Sequence, residues 1–335
     1  MKIMTAFVLV FALVAPVHAQ KAPEAPYPEP SVTQHSVDIG GFSHRYTATA
    51  GTLPLTSSHG ETLAHIFFIS YAKEGAGDPG SRPILFSFNG GPGSSSVWLH
   101  LGLLGPRRVL FDDEGFQLEP PYRLVNNEYS ALDVADLVFI DPVSTGYSRA
   151  MSGVDPKQFH GFQEDLDSVG EFIRLYLTRY NRWDSPKFLI GESYGSRRAA
   201  GLSSLLAIRH GIDLNGVILV SAGSLGHQYG NFGMLEYAIN LPHFAATAWY
   251  HKRLPSDLQA KPLREMLDEV EAFALEDYAL ALLKGNRLTA SERREMARRL
   301  ARYTGLSEAY VESAHLRITR KRFRKELLRE ENRTV

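Results

Sequence analysis

Lys187-Phe188-Leu189-Ile190-Gly191-Glu192-Ser193-Tyr194-Gly195 is the stretch that decides how this chain folds. A short apolar run, read as a strand, passes directly into G-x-S-x-G, and a helical segment follows to about Ile208. So sharp a turn from strand to helix brings the chain too close to itself for side chains at the two flanking positions, which are glycine. It also leaves the Ser193 hydroxyl exposed, with the N-terminus of a helix behind it to favour developing negative charge. The spacing alone is a weak signal. A strand before it and a helix after it make Ser193 a candidate nucleophile.

Moving outward, the same strand-then-turn pattern recurs. Ile66-Phe67-Phe68-Ile69 is a β-branched and aromatic run within Thr62 to Ala72. Pro83 to Phe88 is a second apolar run that ends abruptly at Asn89-Gly90-Gly91-Pro92-Gly93, and Val134 to Ile140 is a third, closing on Asp141-Pro142. Gly216-Val217-Ile218-Leu219-Val220 reads as another buried strand. Between Phe159 and Tyr180 the residues Phe162, Leu166, Val169, Phe172, Ile173, Tyr176 and Leu177 recur at helical spacing. Strands apolar on both faces, alternating with helices, indicate an α/β protein with a mostly parallel sheet covered by helices. From about Gly230 the periodicity is helical throughout, with long Leu-, Ala-, Glu- and Arg-rich segments at Lys261 to Lys284 and Ala290 to Tyr303.

With 335 residues, 44% of them hydrophobic, the chain can bury a sizeable core. Lys and Arg total 36 against 37 for Asp and Glu, so no net field draws it to nucleic acid or an anionic membrane. Lys2, the apolar run Ile3 to Val17 and the small-x-small pattern Val17-His18-Ala19 read as a signal peptide over 1–19. The run is shorter than the ~20 residues a spanning helix needs, and no later stretch is long and apolar enough to span. The expected location is therefore secreted or periplasmic. The Pro-dense segment Ala22 to Pro30 places an extended leader over 20–40. There is no cysteine, which removes disulfides and thiol or Cys-zinc chemistry. The expected chemistry uses oxygen and nitrogen groups, with no cofactor and no metal.

The Asn89 loop sits where a hydrolase of this architecture places a second oxyanion donor. A phosphate-binding loop is the rival reading, but Asn89 to Ser96 has neither the G-K-[ST] lysine nor the G-x-G-x-x-G spacing. Taken in order, Phe86 to Ser96, Asp141-Pro142-Val143-Ser144-Thr145-Gly146-Tyr147-Ser148 and Gly191 to Gly195 resemble the serine carboxypeptidase family (peptidase family S10) of α/β-hydrolases. The resemblance runs from about Gly41 to the end of the chain. It implies that Ser193 is the acylated nucleophile and that the backbone N–H groups of Gly91 and Tyr194 form the oxyanion hole. It also implies that Asn89, the N–H of Gly90 and Glu192 bind the free α-carboxylate of a peptide substrate. Glu192 can donate to that carboxylate only when protonated.

The chain departs from the family pattern in several places. Ser94 stands where the glycine loop usually carries a cysteine, and Leu103 stands where eukaryotic members have a second glutamate paired with the one before the nucleophile. Ser196-Arg197-Arg198 is more basic than usual. The two arginines read either as solvated helix positions or as a holder for a substrate carboxylate. The acid and histidine of a triad are expected after later strands. Ser221-Ala222-Gly223-Ser224 offers no acid, and His227, His243, His251 and His315 follow no strand-like run.

The expectation is therefore a truncated α/β-hydrolase. Residues 41–229 would form the N-terminal part of the core and 230–335 a helical cap insertion, with C-terminal strands missing. From Gln20 to Val335 the chain is expected to be poorly folded and inactive alone. Three functions fit the scaffold: a serine carboxypeptidase, an acyltransferase or esterase, and a non-catalytic peptide-binding protein. A site for a free carboxylate has no use in a simple esterase, so Asn89 and Glu192 favour the first.

Overall fold

A computed structural model describes residues 29–222 and 233–335. The predicted signal peptide, nearly all of Ala22 to Pro30, and Gly223, Ser224 and His227 lie outside the described residues. The chain divides into two compact units, Met1–Ala222 and Gly223–Val335. The division falls seven residues before the boundary expected from the onset of helical periodicity.

Among the described residues the first unit is built on one eight-stranded sheet. Its strands are β1 (Ser31–Ile39), β2 (Phe42–Thr56), β3 (Thr62–Lys73), β4 (Ile84–Phe88), β7 (Asp136–Ile140), β8 (Arg149–Ala150), β9 (Lys187–Glu192) and β10 (Gly216–Val220). The order is β1-β2-β3-β7-β4-β9-β10, with β8 paired to β3. A separate hairpin joins β5 (Arg107–Val109) to β6 (Leu124–Asn126). β7, β4, β9 and β10 run parallel, whereas β1, β2 and β3 form an antiparallel meander against them. This is the α/β-hydrolase architecture. β4 and β7 are buried along their whole length, as strands covered on both faces must be. One face packs Phe68, Phe86 and Leu189 against helices α2 (Phe162–Arg179) and α3 (Tyr194–His210), and the other packs Leu85, Leu137 and Ile190 with Leu99 and Leu132.

Two expectations change. The folded part begins inside the segment 20–40 assigned to a leader, because β1 pairs with β2 from Ser31↔Ala50 to Ile39↔Phe42. β1 carries mostly polar residues and buries only Val37 and Ile39, so it lacks the apolar run that marks the central strands. β10 is not a buried strand: Ile218 is 46% exposed and Leu219 42%. Among the described residues it pairs only with β9, and an edge strand is covered on its faces only as far as the flanking helices reach.

Among the described residues the second unit is entirely helical. Short helix α1 (Val97–Leu99) belongs to the first unit, and α4 (Leu235–Tyr250), α5 (Ser256–Gln259), α6 (Leu263–Phe273), α7 (Ala279–Lys284), α8 (Ala290–Thr304), α9 (Glu308–Ser313) and α10 (Arg320–Glu326) make up the second. It has its own core around Phe244, Phe273, Tyr278, Leu300 and Phe323, with the rings of Phe244 and Phe323 stacked 4.4 Å apart. Thr289 and Glu292 close a reciprocal capping box at the start of α8. Among the described residues no helix of the protein is long and apolar enough to cross a membrane.

Candidate active site

Register carries the sequence motifs to one edge of the sheet. β4 and β9 run parallel with Phe88 opposite Gly191, and Val220 of β10 lies opposite Glu192. The residues that follow β4, β9 and β7, beginning with Asn89, Ser193 and Asp141, therefore leave the sheet at the C-terminal ends of its parallel strands. Open α/β sheets bind ligands at that edge.

Ser193 takes φ 56° and ψ −120°, a conformation costly for any side-chain-bearing residue and held by its surroundings. Its N–H donates to Val220 O at 2.9 Å, and Ser196 Oγ, 2.8 Å from Gly191 O and 2.9 Å from Val220 O, shares its one proton between them. The glycines are needed for space. A Cβ on Gly191 would sit 2.0 Å from Gly195 O, and one on Gly90 would sit 2.4 Å from Tyr194 N. The second contact shows the Asn89 loop lying directly against the turn that carries Ser193. The two motifs read from sequence as parts of one site are thus brought together. Ser193 is half-buried, and Gly91 is exposed.

Asn89 is fully buried at the junction. Its Oδ1 accepts from Leu99 N at 3.0 Å, and its Nδ2 donates to Glu192 Oε2 at 3.1 Å. A backbone N–H can only donate, so the Leu99 bond fixes which way the amide faces. One N–H of Nδ2 is committed to Glu192 and one is left over. Leu103, at the position of the family's second glutamate, is 47% exposed.

The structure assigns work to residues that the sequence left without a role. Asp141 accepts from Ser96 N at 2.9 Å and from Tyr147 N at 3.4 Å, so it fastens the far end of the glycine loop. Burial pushes its carboxyl above the ordinary aspartate range, opposed by those two N–H groups and by Arg149. Ser148 Oγ donates to Asp141 O at 2.5 Å and accepts from Phe67 N at 2.7 Å, tying the loop after β7 to β3.

The arginines are not solvated. Arg197 is nearly buried, its guanidinium 4.5 Å from the Phe162 ring centroid. Arg198 is 0% exposed. Its Nε contacts the Asp165 carboxylate at 2.9 and 3.1 Å, and Nη1 donates to Asn89 O at 2.8 Å. Its Nη2 is buried with no hydrogen-bond partner among the described residues. Burial, and then the Asp165 carboxylate, raise the pKa of the Tyr194 phenol beside it.

This pair left a trace in the sequence. Asp165 stands within the apolar stripe of α2 beside Leu166 and Val169, and Arg198 shares a helix face with Gly195 and Leu202. Charges in such positions are expected to pair.

Among the described residues none hydrogen-bonds Ser193 Oγ. His243, His251 and His315 all belong to the second unit: His243 is exposed on α4, His251 caps its C-terminus, and His315 is exposed after α9. Among the described residues no cluster of His, Asp and Glu could hold a metal ion.

The family model described as serine carboxypeptidase matches residues 43–278. The chain is similar to serine carboxypeptidase-like 34 of Arabidopsis thaliana, with 30% identity over 204 residues, covering 58% of this chain and 38% of that protein. It is also similar to the pheromone-processing carboxypeptidase KEX1 of Komagataella phaffii, with 31% identity over 151 residues, covering 43% of this chain and 21% of that protein. The matches thus span about two fifths or less of these relatives' own length. Among solved structures it is similar to a prohormone-processing carboxypeptidase from Saccharomyces cerevisiae, at 20% identity and a TM-score of 0.47, covering 70% of this chain and 49% of that one.

Proposed function

Because the chain belongs to the serine carboxypeptidase family, we propose that its site releases C-terminal residues from peptides through an acyl-enzyme on Ser193. In the proposed reaction Ser193 Oγ attacks the carbonyl carbon of the last peptide bond and passes its proton to a general base. The negative charge gathering on the carbonyl oxygen is held by the N–H groups of Gly91 and Tyr194. The C–N bond breaks, the terminal amino acid leaves with a proton on its nitrogen, and water then attacks the ester to release the shortened peptide and restore Ser193.

The observation that carries the reading is the bond between Asn89 and Glu192, made where the loop after β4 meets the turn that carries Ser193. It holds Asn89 and Glu192 side by side next to the turn that carries Ser193. Only a substrate with a free C-terminus presents a carboxylate beside its last peptide bond, and Asn89, the N–H of Gly90 and Glu192 are the groups proposed to meet it. The predicted signal peptide extends the proposal to an exported enzyme.

The test compares an N-blocked dipeptide with its C-terminal amide, using the protein and its Ser193→Ala and Asn89→Ala variants. In a protein completed with the acid and histidine of a triad, hydrolysis of the free acid that disappears in Ser193→Ala, and a free-acid preference that disappears in Asn89→Ala, are expected. Equal turnover of acid and amide would overturn the carboxylate reading, and transfer of the acyl group to an added alcohol in preference to water would place the protein with acyltransferases. Free-acid binding without turnover would leave a peptide-binding protein.

A further inference from the structure

We infer that Arg198 and Asp165 are positioning residues that aim the Gly90 N–H into the carboxylate site. The inference rests on the carboxylate reading above and adds the device that sets its geometry.

Arg198 projects from the first turns of α3, the helix that Ser193 caps, and Asp165 from the first turn of α2. Both are buried, and the ion pair between them is made at 2.9 Å. The Asp165 carboxylate takes the inner Nε of Arg198, which leaves an outer nitrogen to reach Asn89 O at 2.8 Å. The guanidinium carbon lies 5.3 Å from the ring centroids of both Phe88 and Tyr194, so the plane is confined by rings as well as by bonds.

The carbonyl that Arg198 grips belongs to the same peptide unit as the N–H of Gly90. That unit is trans. In a planar trans peptide the C=O and N–H point in opposite directions, so holding the oxygen on Arg198 turns the Gly90 N–H away from Arg198. Close packing limits the loop as well, because a Cβ on Gly195 would sit 2.9 Å from Asn89 O. Arg198 thus acts on substrate without touching it. It fixes the direction of one donor, while Glu192 and Leu99 fix the Asn89 amide. A lysine could keep the charge but has no planar fork to engage Asp165 and Asn89 O together.

The experiment measures dissociation constants for an N-blocked dipeptide and its C-terminal amide by calorimetry, on a Ser193→Ala background where the peptide is not turned over. Arg198→Lys is expected to lower the preference for the free acid about tenfold, the scale of one charge-assisted hydrogen bond, and to leave amide binding unchanged. Arg197→Lys, one position away and outside the brace, is expected to keep the preference.

A purely structural role would weaken acid and amide alike. A folded Arg198→Lys protein with an unchanged ratio would overturn the inference. If Arg198→Lys does not fold, Asp165→Asn, which keeps the volume and removes the charge anchoring Nε, decides by the same ratio. If the Ser193→Ala parent itself binds acid and amide equally, the carboxylate reading fails and this inference fails with it. That result is distinct from a parent preference that the variants leave intact.

Discussion

Asn89 Nδ2 donates to Glu192 Oε2 at 3.1 Å, joining the residue that follows β4 to the last residue of β9. These side chains are 103 residues apart in sequence, and the bond is possible because β4 and β9 run parallel with Phe88 opposite Gly191. A one-residue slip would turn Glu192 to the other face of the sheet.

The first prediction concerns that junction. Asn89→Ala removes the acceptor of Leu99 N and the donor to Glu192, leaving a buried N–H unpaired. The expected stability loss is about 1–3 kcal/mol, read as a lower urea midpoint with an unchanged slope.

Gly90→Ala tests the approach of the glycine loop to the elbow. The added Cβ would meet Tyr194 N at 2.4 Å and Glu192 O at 2.7 Å, both backbone atoms that no rotamer change can move aside. The loop must therefore lift. The expectation is roughly 3 kcal/mol or more of destabilisation, with loss of whatever reactivity Ser193 has towards a fluorophosphonate. A variant with wild-type stability and labelling would contradict the packing described here.

Two ion pairs on α2 and α3 should behave differently. Asp165→Ala leaves Arg198 buried beside an empty site and is expected to cost about 3–5 kcal/mol. Asp167→Ala breaks a pair with Arg209 whose side chains are 60% and 36% exposed, and its effect should be within about 1 kcal/mol. Parallel urea titrations of the two variants check this.

His100 supplies a pH dependence of stability. It is buried, stacked on Phe139 at 4.4 Å, and its Nε2 meets Tyr71 Oη at 2.6 Å. Burial lowers its pKa to about 4, so the folded state resists protonation that the unfolded chain accepts near 6.5. Between those values the unfolded state binds more protons. The stabilisation from a neutral His100 is complete above about 6.5 and is lost as pH falls towards 4, a change on the order of 3 kcal/mol. His100→Gln should flatten that part of the profile, measured as melting temperature against pH.

Much of the architecture was legible in the chain. β4, β7 and β9 announce themselves as continuous apolar runs because both of their faces are covered, and α2 by its helical stripe. The G-x-S-x-G turn and the Asn89 loop were legible because close backbone approach tolerates no side chain, a local demand written directly as glycine. β1 was not legible, since a mostly exposed edge strand is specified by its partner β2 more than by its own composition. The exposure of β10 was hidden for the opposite reason: an apolar run does not state what covers it.

By itself the sequence determined which residues must sit at strand ends and which of them could carry chemistry, because steric and burial requirements act within a few residues of where they are written. Only the tertiary structure decided what those residues touch. That Arg198 would reach Asn89 O instead of solvent, and that Asp141 would hold Ser96, depends on the register of parallel strands and on the packing of α2 against α3. Contacts between residues 109 and 45 positions apart are fixed by where the backbone goes, and no local rule encodes them.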